Sequence, residues 1–389
     1  MSSAESFGGA AVSRIRRALE ALLALPGFLL LALAARATPE WFERHVVVPE
    51  FYLPPPGWML PALRTVVALT GLLFVLVLRP LAGRAAMRLG PRETLAAAAR
   101  ISVAVLLSLA VCEGALRAID KPDLESPHPR LESRLGVPDA RLGWALTPEK
   151  TTPVRMAPQL PAIEYSVDAL GDRAPLATFR EDPARPTIVL TGESIAFGHG
   201  LPWRDTIAAR LEVLTGAQVV VVAVGGYGSD QAYLRAVDAL ARLQRPIAVV
   251  TIVVPVQLSR NLHDYRPRLA LDGARLVGRP ARHARFRVQN LLANELRYMS
   301  DAKLAESLAL TRAIFEATQR AAAARGARTL FVTPSFGAPA PALLASLLAG
   351  LPNAPVELAS ARILAYDGHP DPEGALQIAR AIAQYVSSP

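Results

Sequence analysis

Three apolar runs crowd into the first 120 of 389 residues, and they constrain everything that follows. "ALLALPGFLLLALAA" covers 21–35, "LPALRTVVALTGLLFVLVL" covers 60–78, and "ISVAVLLSLAVCEGALRAI" covers 101–119. A helix needs about 20 apolar residues to cross a bilayer. The second run satisfies that length. The first is short, and its basic start "SRIRR" and the "ARA" at 35–37 also fit a cleaved signal peptide. The third carries Glu113 and Arg117 toward its far end. Buried core helices are the competing reading. Three such runs at one end of the chain, with charged breaks between them, favour a membrane region of two to three transmembrane helices over residues 1–120.

Charge sets the expected orientation. Arg14, Arg16 and Arg17 precede the first run, and Arg79, Arg84, Arg88, Arg92 and Arg100 lie between the second and third. The stretch between the first and second has Glu40, Glu43 and Glu50 against Arg36 and Arg44, with Trp41, Phe42, Tyr52 and Trp58 as interfacial aromatics. Positive loops stay in the cytoplasm. The N-terminus and the 79–100 connection are therefore expected inside, and the chain beyond about residue 120 on the extracytoplasmic, periplasmic side. A cleaved first run would leave the rest oriented the same way. This topology also accounts for much of the net charge of +9, which otherwise suggests nucleic acid. Arginine is scattered and no basic run is interleaved with stacking aromatics, so no nucleic-acid partner is expected. Cys112 is the only cysteine, which excludes an intrachain disulfide and a multi-cysteine metal site.

The second half has a different texture. Residues 121–185 are rich in proline and charge and read as a connector with short strands, with "DARLGWAL" and "EYSVDALGDRAP" as islands of pattern. From 186 onward, continuous apolar strands alternate with amphipathic helices. Strands are expected at 186–192, 218–224, 246–256 and 327–334, with a shorter one at 355–358. Helices are expected at 203–216, at 229–243 with Ser229 or Asp230 as N-cap, over 285–325, at 340–349 and at 371–386. "RLALDGARLVG" at 268–278 reads as a hairpin turning at Asp272-Gly273. Strands of this kind imply a parallel sheet covered on both faces. The expected fold class is α/β: a three-layer α/β/α sandwich with a parallel, flavodoxin-like sheet over 186–389, preceded by the transmembrane region.

Chemistry gathers where these strands end. Gly192, Glu193 and Ser194 follow the first, "GGYGSDQ" (225–231) the second, "PVQLSRNLHDY" (255–265) the third, and "YDGHPD" (366–371) precedes the last helix. In an open parallel sheet such loops can meet in one crevice. Ser194 alone fits a helix N-cap as well as a nucleophile. Counted with the other loops it completes an inventory for acyl transfer. Ser194 would attack an acyl carbonyl, His369 would be its base, and Asp367 would accept from the other ring nitrogen and fix the tautomer. The N–H groups of Gly226 and Ser194 would face the developing oxyanion, with Gln257 or Asn261 as a third donor from a side chain. "GGYGSD" lacks the dinucleotide spacing and no P-loop lysine follows. His199, His263 and His283 show no metal-ligand spacing and read as ordinary surface or loop residues, and Asp264 as solvated. This chemistry needs no cofactor or metal.

The constellation resembles the SGNH, or GDSL-like, hydrolase family over about residues 186–388. "VLTGESIAFGHGL" is similar to its first block, which implies Ser194 as nucleophile and oxyanion donor. "VVAVGGYGSDQ" is similar to the second, which implies Gly226 as donor, and "DGHPDPEGALQIA" to the last, which implies Asp367 and His369. The islands "LGW" and "YSVDALGDRA" also resemble segments that precede the domain in membrane-linked bacterial members. Two departures stand out. The family has Gly-Asp-Ser where this chain has Gly-Glu-Ser, and its third-block asparagine is replaced by "VVPVQLSRN", with Gln257 near that place and Asn261 four residues later. The resemblance implies a membrane-tethered ester hydrolase acting on acyl or acetyl esters of envelope carbohydrate or lipid. An acyltransferase to envelope polysaccharide, and a non-catalytic envelope-binding protein that keeps the fold, are the alternatives.

Overall fold

The computed structural model describes residues 2–47, 57–119, 135–282, 286–289, 298–336, 342–364 and 368–387. The chain divides into two units: 1–47, 54–120 and 285–297 form one, and 48–53, 121–284 and 298–389 the other.

The first unit is helical. It is built from Ser2–Arg36, from Met59–Leu72 continued by a π-helical stretch Leu73–Leu78, and from Arg79–Ile119. Within these, Arg16–Arg36, Met59–Arg88 and Arg92–Ala118 are each long and apolar enough to cross a membrane. Large apolar side chains such as Leu22, Leu69, Leu106 and Val111 stand exposed on them. The first two helices cross at Gly27 and Gly71. A Cβ on Gly27 would lie 2.9 Å from the Gly71 carbonyl, and one on Gly71 2.8 Å from that of Gly27. Small residues permit this backbone approach in membrane bundles.

The basic connection over 79–100 is helical, as its Ala, Leu and Arg content favours. It bends, since Thr94 Oγ1 reaches the Ala86 carbonyl and donates to it at 3.4 Å, a contact a straight helix does not allow. Eight residues of straight helix would separate them by about 12 Å. Glu113, near the end of the third candidate span, accepts the N–H groups of Arg287 and Val288 at 3.0 Å each and Arg117 Nε at 2.7 Å. Among the described residues of 285–325, the long helix begins only at Asp301, where Ser300 caps it by accepting the Lys303 N–H.

The second unit opens with an antiparallel hairpin, β1 (Gly136–Asp139) and β2 (Gly143–Leu146). It continues with β3 (Lys150–Val154), β4 (Ile163–Val167), β5 (Arg173–Ala174), β6 (Thr187–Thr191), β7 (Gln218–Val221) and β8 (Pro246–Ile252). The hairpin β9 (Arg268–Asp272) and β10 (Arg275–Arg279) turns over Gly273 and Ala274, and β11 (Arg328–Phe336) and β12 (Asn353–Leu358) follow. One sheet runs in the order β12-β11-β8-β6-β7-β5-β4-β3. Its five parallel strands, counted from β6, lie in the order 2-1-3-4-5 of a flavodoxin-like doubly wound sheet. The stretch expected as a connector supplies β3, β4 and β5, which extend the sheet from β7 as antiparallel strands.

Alternation along the strands feeds two faces. Ile188, Leu190, Val219, Val221, Val250 and Leu330 pack with Ile207 and Leu211 of helix Ile207–Thr215 and with Ile378 and Ile382 of helix Pro372–Ser387. Val189, Val220 and Val249 point the other way, onto Ala236, Ala239 and Leu240 of helix Ser229–Arg242 and Ala322 of helix Asp301–Ala323. Covered on both sides, the strands carry mostly apolar residues with a few buried threonines such as Thr191 and Thr251, which is why they read as near-continuous apolar runs. Burying one such Val or Leu side chain stabilises by about 1.5–3 kcal/mol.

Candidate active site

The strand order reverses between β6 and β8, and loops leaving their carboxyl ends there diverge and leave a crevice. The first such loop is tightly constrained. Gly192 adopts φ +137°, and a Cβ on it would stand 2.9 Å from the Ile252 carbonyl of β8. The chain then turns directly into a short helix, Ser194–Phe197. Its N-cap is Glu193, whose carboxylate accepts the Ile195 N–H at 3.0 Å. Capping therefore falls one residue before Ser194 and leaves the serine hydroxyl for other partners.

Those partners are an imidazole and a carboxylate. His369 Nε2 lies 2.7 Å from Ser194 Oγ, and Ser194 Oγ also donates to Glu193 Oε2 in a short hydrogen bond. Glu193 is fully buried. Burial pushes its carboxyl up, but the Arg260 guanidinium, then His369 and the hydrogen bonds from Ser194 and Ile195, outweigh that and hold it below the usual carboxylate range. Arg260 Nη1 is 3.6 Å from Glu193 Oε2. The hydroxyl thus stands between the imidazole of His369 and the carboxylate of Glu193.

His369 stands in the loop before helix Pro372–Ser387. The loop's neck is closed by the Ile363–Pro370 bridge and by Asp371 N–H on the Arg362 carbonyl at 2.9 Å, and Leu364 N–H donates to the His369 carbonyl at 2.9 Å. Asp371 Oδ1 then accepts the Gly374 N–H at 2.7 Å and starts the helix. Asp367 lies outside the described residues, as does His283. His199 is not a surface residue. It is buried, and its ring centroid is 4.4 Å from that of His369. His263 is partly buried beside Tyr265, with Nδ1 2.7 Å from the phenol oxygen, and Asp264 is exposed and paired with Arg268.

The second loop places Gly226 in the left-handed region, φ +77°, where a side chain would be strained. The helix after it is capped by Gly228 rather than Ser229 or Asp230, and Gly228 N–H donates to Gln231 Oε1 at 2.9 Å. Asp230 instead forms a buried bidentate pair with Arg266, 2.9 Å at each contact, and accepts the Leu269 N–H. From the third loop, both amides are buried and bonded within the protein. Gln257 Oε1 accepts the Val254 N–H at 3.3 Å and its Nε2 faces the Ile252 carbonyl at 3.5 Å. Asn261 Oδ1 accepts the Ser229 N–H and its Nδ2 donates to Thr311 Oγ1, each at 2.8 Å.

Two sequence islands upstream brace these loops. Arg173 of β5 is buried and donates to the carbonyls of Phe197, Gly198 and Leu201 at 2.7 Å each, with its guanidinium over the rings of Tyr165 and Phe197. Tyr165 Oη accepts the Gly200 N–H at 2.7 Å. The loop that carries His199 is therefore fastened from behind by "EYSVDALGDRAP". "LGW" does the same for the glycine loop: Trp144 Nε1 donates to the Gly225 carbonyl at 3.2 Å, Tyr227 Oη to the Trp144 carbonyl at 2.8 Å, and Gln231 Nε2 to the Leu142 carbonyl at 2.7 Å. Alternation in the sequence signals strands in these islands but carries no trace of their targets.

No family model matches the chain, and no curated protein does. Among solved structures, a protein from Desulfitobacterium hafniense DCB-2 assigned to the lipolytic G-D-S-L family aligns with 51% of this chain and 98% of its own, at 12% identity and a TM-score of 0.32. The acetyl xylan esterase Est2A from the rumen bacterium Butyrivibrio proteoclasticus aligns with 53% of this chain and 65% of its own, at 10% identity and a TM-score of 0.29. Each of these two structures is similar to this chain over about half of its length.

Proposed function

We propose that the second unit is a serine ester hydrolase, held at the membrane by the N-terminal helices and facing the extracytoplasmic side. The observation that carries this reading is the 2.7 Å contact between His369 Nε2 and Ser194 Oγ in the crevice beyond β6. As Ser194 Oγ bonds to the acyl carbon, its proton passes to His369 Nε2 and the carbonyl electron pair moves onto oxygen. The N–H groups of Ser194 and Gly226 receive that oxyanion. His369 then protonates the leaving alcohol, and an acyl-serine remains. Water repeats the sequence and releases the acid. Asp367 would hold the far side of the imidazole and stabilise its charged form.

The proposed substrates are acyl or acetyl esters of envelope carbohydrate or lipid, since an anchored site meets esters at the membrane surface. The test is turnover of p-nitrophenyl acetate by the full-length protein in detergent. Ser194→Ala and His369→Ala are each expected to lose about 10³-fold or more in kcat. Wild-type turnover no faster than that of Ser194→Ala would refute the assignment. Transfer of the acyl group to a sugar hydroxyl in preference to water would move the reading from hydrolase to acyltransferase with the same residues.

A further inference from the structure

A serine ester hydrolase gains from a third donor at its oxyanion, and neither side-chain amide expected there is free to act. Gln257 and Asn261 are both at most 1% exposed; Asn261 is held at both ends by 2.8 Å hydrogen bonds, and Gln257 is turned inward, its Oε1 on the Val254 N–H at 3.3 Å and its Nε2 toward the Ile252 carbonyl at 3.5 Å. Turning either amide toward Ser194 would leave a buried backbone N–H without an acceptor, which costs about 1–3 kcal/mol. The same short helix, Gln257–Arg260, ends on a residue with a different posture. Arg260 Nη1 donates to the Tyr227 carbonyl at 3.4 Å and stands 3.6 Å from Glu193 Oε2. Both contacts are long. Among the described residues, Arg260 Nε and Nη2 have no hydrogen-bond partner, and the side chain is 22% exposed.

The positions of those two contacts matter. Tyr227 directly follows Gly226, and Glu193 directly precedes Ser194, the two residues whose N–H groups face the developing oxyanion in the proposed mechanism. The guanidinium therefore touches both loops that would flank the oxyanion. We propose that Arg260 is the third oxyanion donor, a cationic replacement for the amide expected from Gln257 or Asn261. The assignment rests on the ester-hydrolase reading of Ser194 and His369. When Ser194 Oγ bonds to the acyl carbon, the electron pair of the C=O bond moves to oxygen and the serine proton to His369 Nε2. Arg260 forms no covalent bond and loses no proton; it turns a free N–H onto the new negative charge. A charged donor makes a hydrogen bond roughly twice as strong as a neutral one. Loose ground-state contacts suit a group whose interaction should strengthen only in the transition state.

The test uses the full-length protein in detergent with p-nitrophenyl acetate. R260Q is expected to lose about 10²–10³-fold in kcat with KM little changed, the usual effect of removing one oxyanion donor. R260K keeps a charge beside Glu193 but lacks the planar fork, and should lose at least about tenfold; it carries the test if R260Q does not fold. R260A should regain kcat when guanidinium is added at concentrations far below those that unfold the protein, and should do so in the E193Q background as well, where there is no carboxylate for the ion to hold. If Arg260 acted only by holding Glu193, its loss would have no further effect in E193Q; the proposal expects the R260Q penalty to persist there. Wild-type kcat in R260Q, or a penalty that disappears in the E193Q background, overturns the role of Arg260 while leaving the hydrolase intact. Absence of turnover and of Ser194 labelling in the wild-type protein overturns both together.

Discussion

Arg173 and Phe197 are 24 residues apart, and the guanidinium of one both donates to the carbonyl of the other at 2.7 Å and lies 4.5 Å from its ring centroid. With Gly198 and Leu201 also receiving N–H groups from Arg173, one buried cation fixes the end of the short helix that starts at Ser194. The antiparallel strands beside β7 are thus part of the apparatus that positions the serine loop. Arg173→Met should leave three carbonyls without this donor and cost about 3 kcal/mol or more of stability. Arg173→Lys should recover less than half of that and show a lower kcat at unchanged KM. Denaturant midpoints and turnover on the same preparations check both.

Gly192 makes a narrower claim. With φ at +137° and the Ile252 carbonyl 2.9 Å from where a Cβ would sit, even alanine is both strained and obstructed. Gly192→Ala should destabilise the second unit by at least about 2 kcal/mol, read as a shift in denaturant midpoint. A midpoint equal to that of the wild type would show that the turn after β6 has room the structure denies it.

His263 supplies a pH dependence. Burial first, then Arg266 and Arg260, pushes its imidazole down to about 4, with Asp230 and Asp264 offsetting part of the effect. The unfolded chain takes up this proton near pH 6.5 and the folded chain only near 4, so its contribution is complete above 6.5 and is lost as pH falls toward 4. The loss amounts to about 3 kcal/mol across that window. Unfolding free energies measured at pH 7 and pH 4 should show a smaller drop in His263→Gln than in the wild type. Equal drops would exclude His263 as a source of acid sensitivity.

How far the sequence carries depends on whether a feature is local. Runs rich in Val, Ile and Leu announce β6, β8 and β11, because a strand buried on both faces favours apolar residues at nearly every position. Ser194 and His369 are nominated by the residues immediately around them. What joins them is non-local: 175 residues separate the two side chains at the 2.7 Å contact. The same holds for Trp144 and Gly225, 81 residues apart, and for Arg141 and Asp238, 97 apart. No spacing rule encodes such pairs. His199 misleads for a related reason, since a histidine between two glycines reads as an exposed turn, and only the fold buries it and brings His369 over it. The third loop shows the limit of motif reasoning. Its amides are the expected residue type, but Asn261 ties the start of helix Ser229–Arg242 to Thr311. That helix is capped at Gly228 rather than at Ser229 or Asp230, with Gln231 serving the Gly228 N–H directly.

The proposed topology yields its own expectation. With the second unit outside the cytoplasm, protease added to spheroplasts should digest it while the membrane is intact and spare a fragment containing Arg79–Arg100. Resistance of the second unit until the membrane is permeabilised would reverse the orientation read from the arginines.

In the proposed mechanism His369 activates Ser194, and covalent labelling reads that activation at the serine itself. The full-length protein, with Ser194→Ala and His369→Ala beside it, is treated with a fluorophosphonate and digested, and the modified residue is located by mass spectrometry. A single adduct on Ser194 is expected, absent in Ser194→Ala and strongly slowed in His369→Ala. A folded wild-type protein that takes no label at Ser194, or takes it as fast without His369, would contradict it.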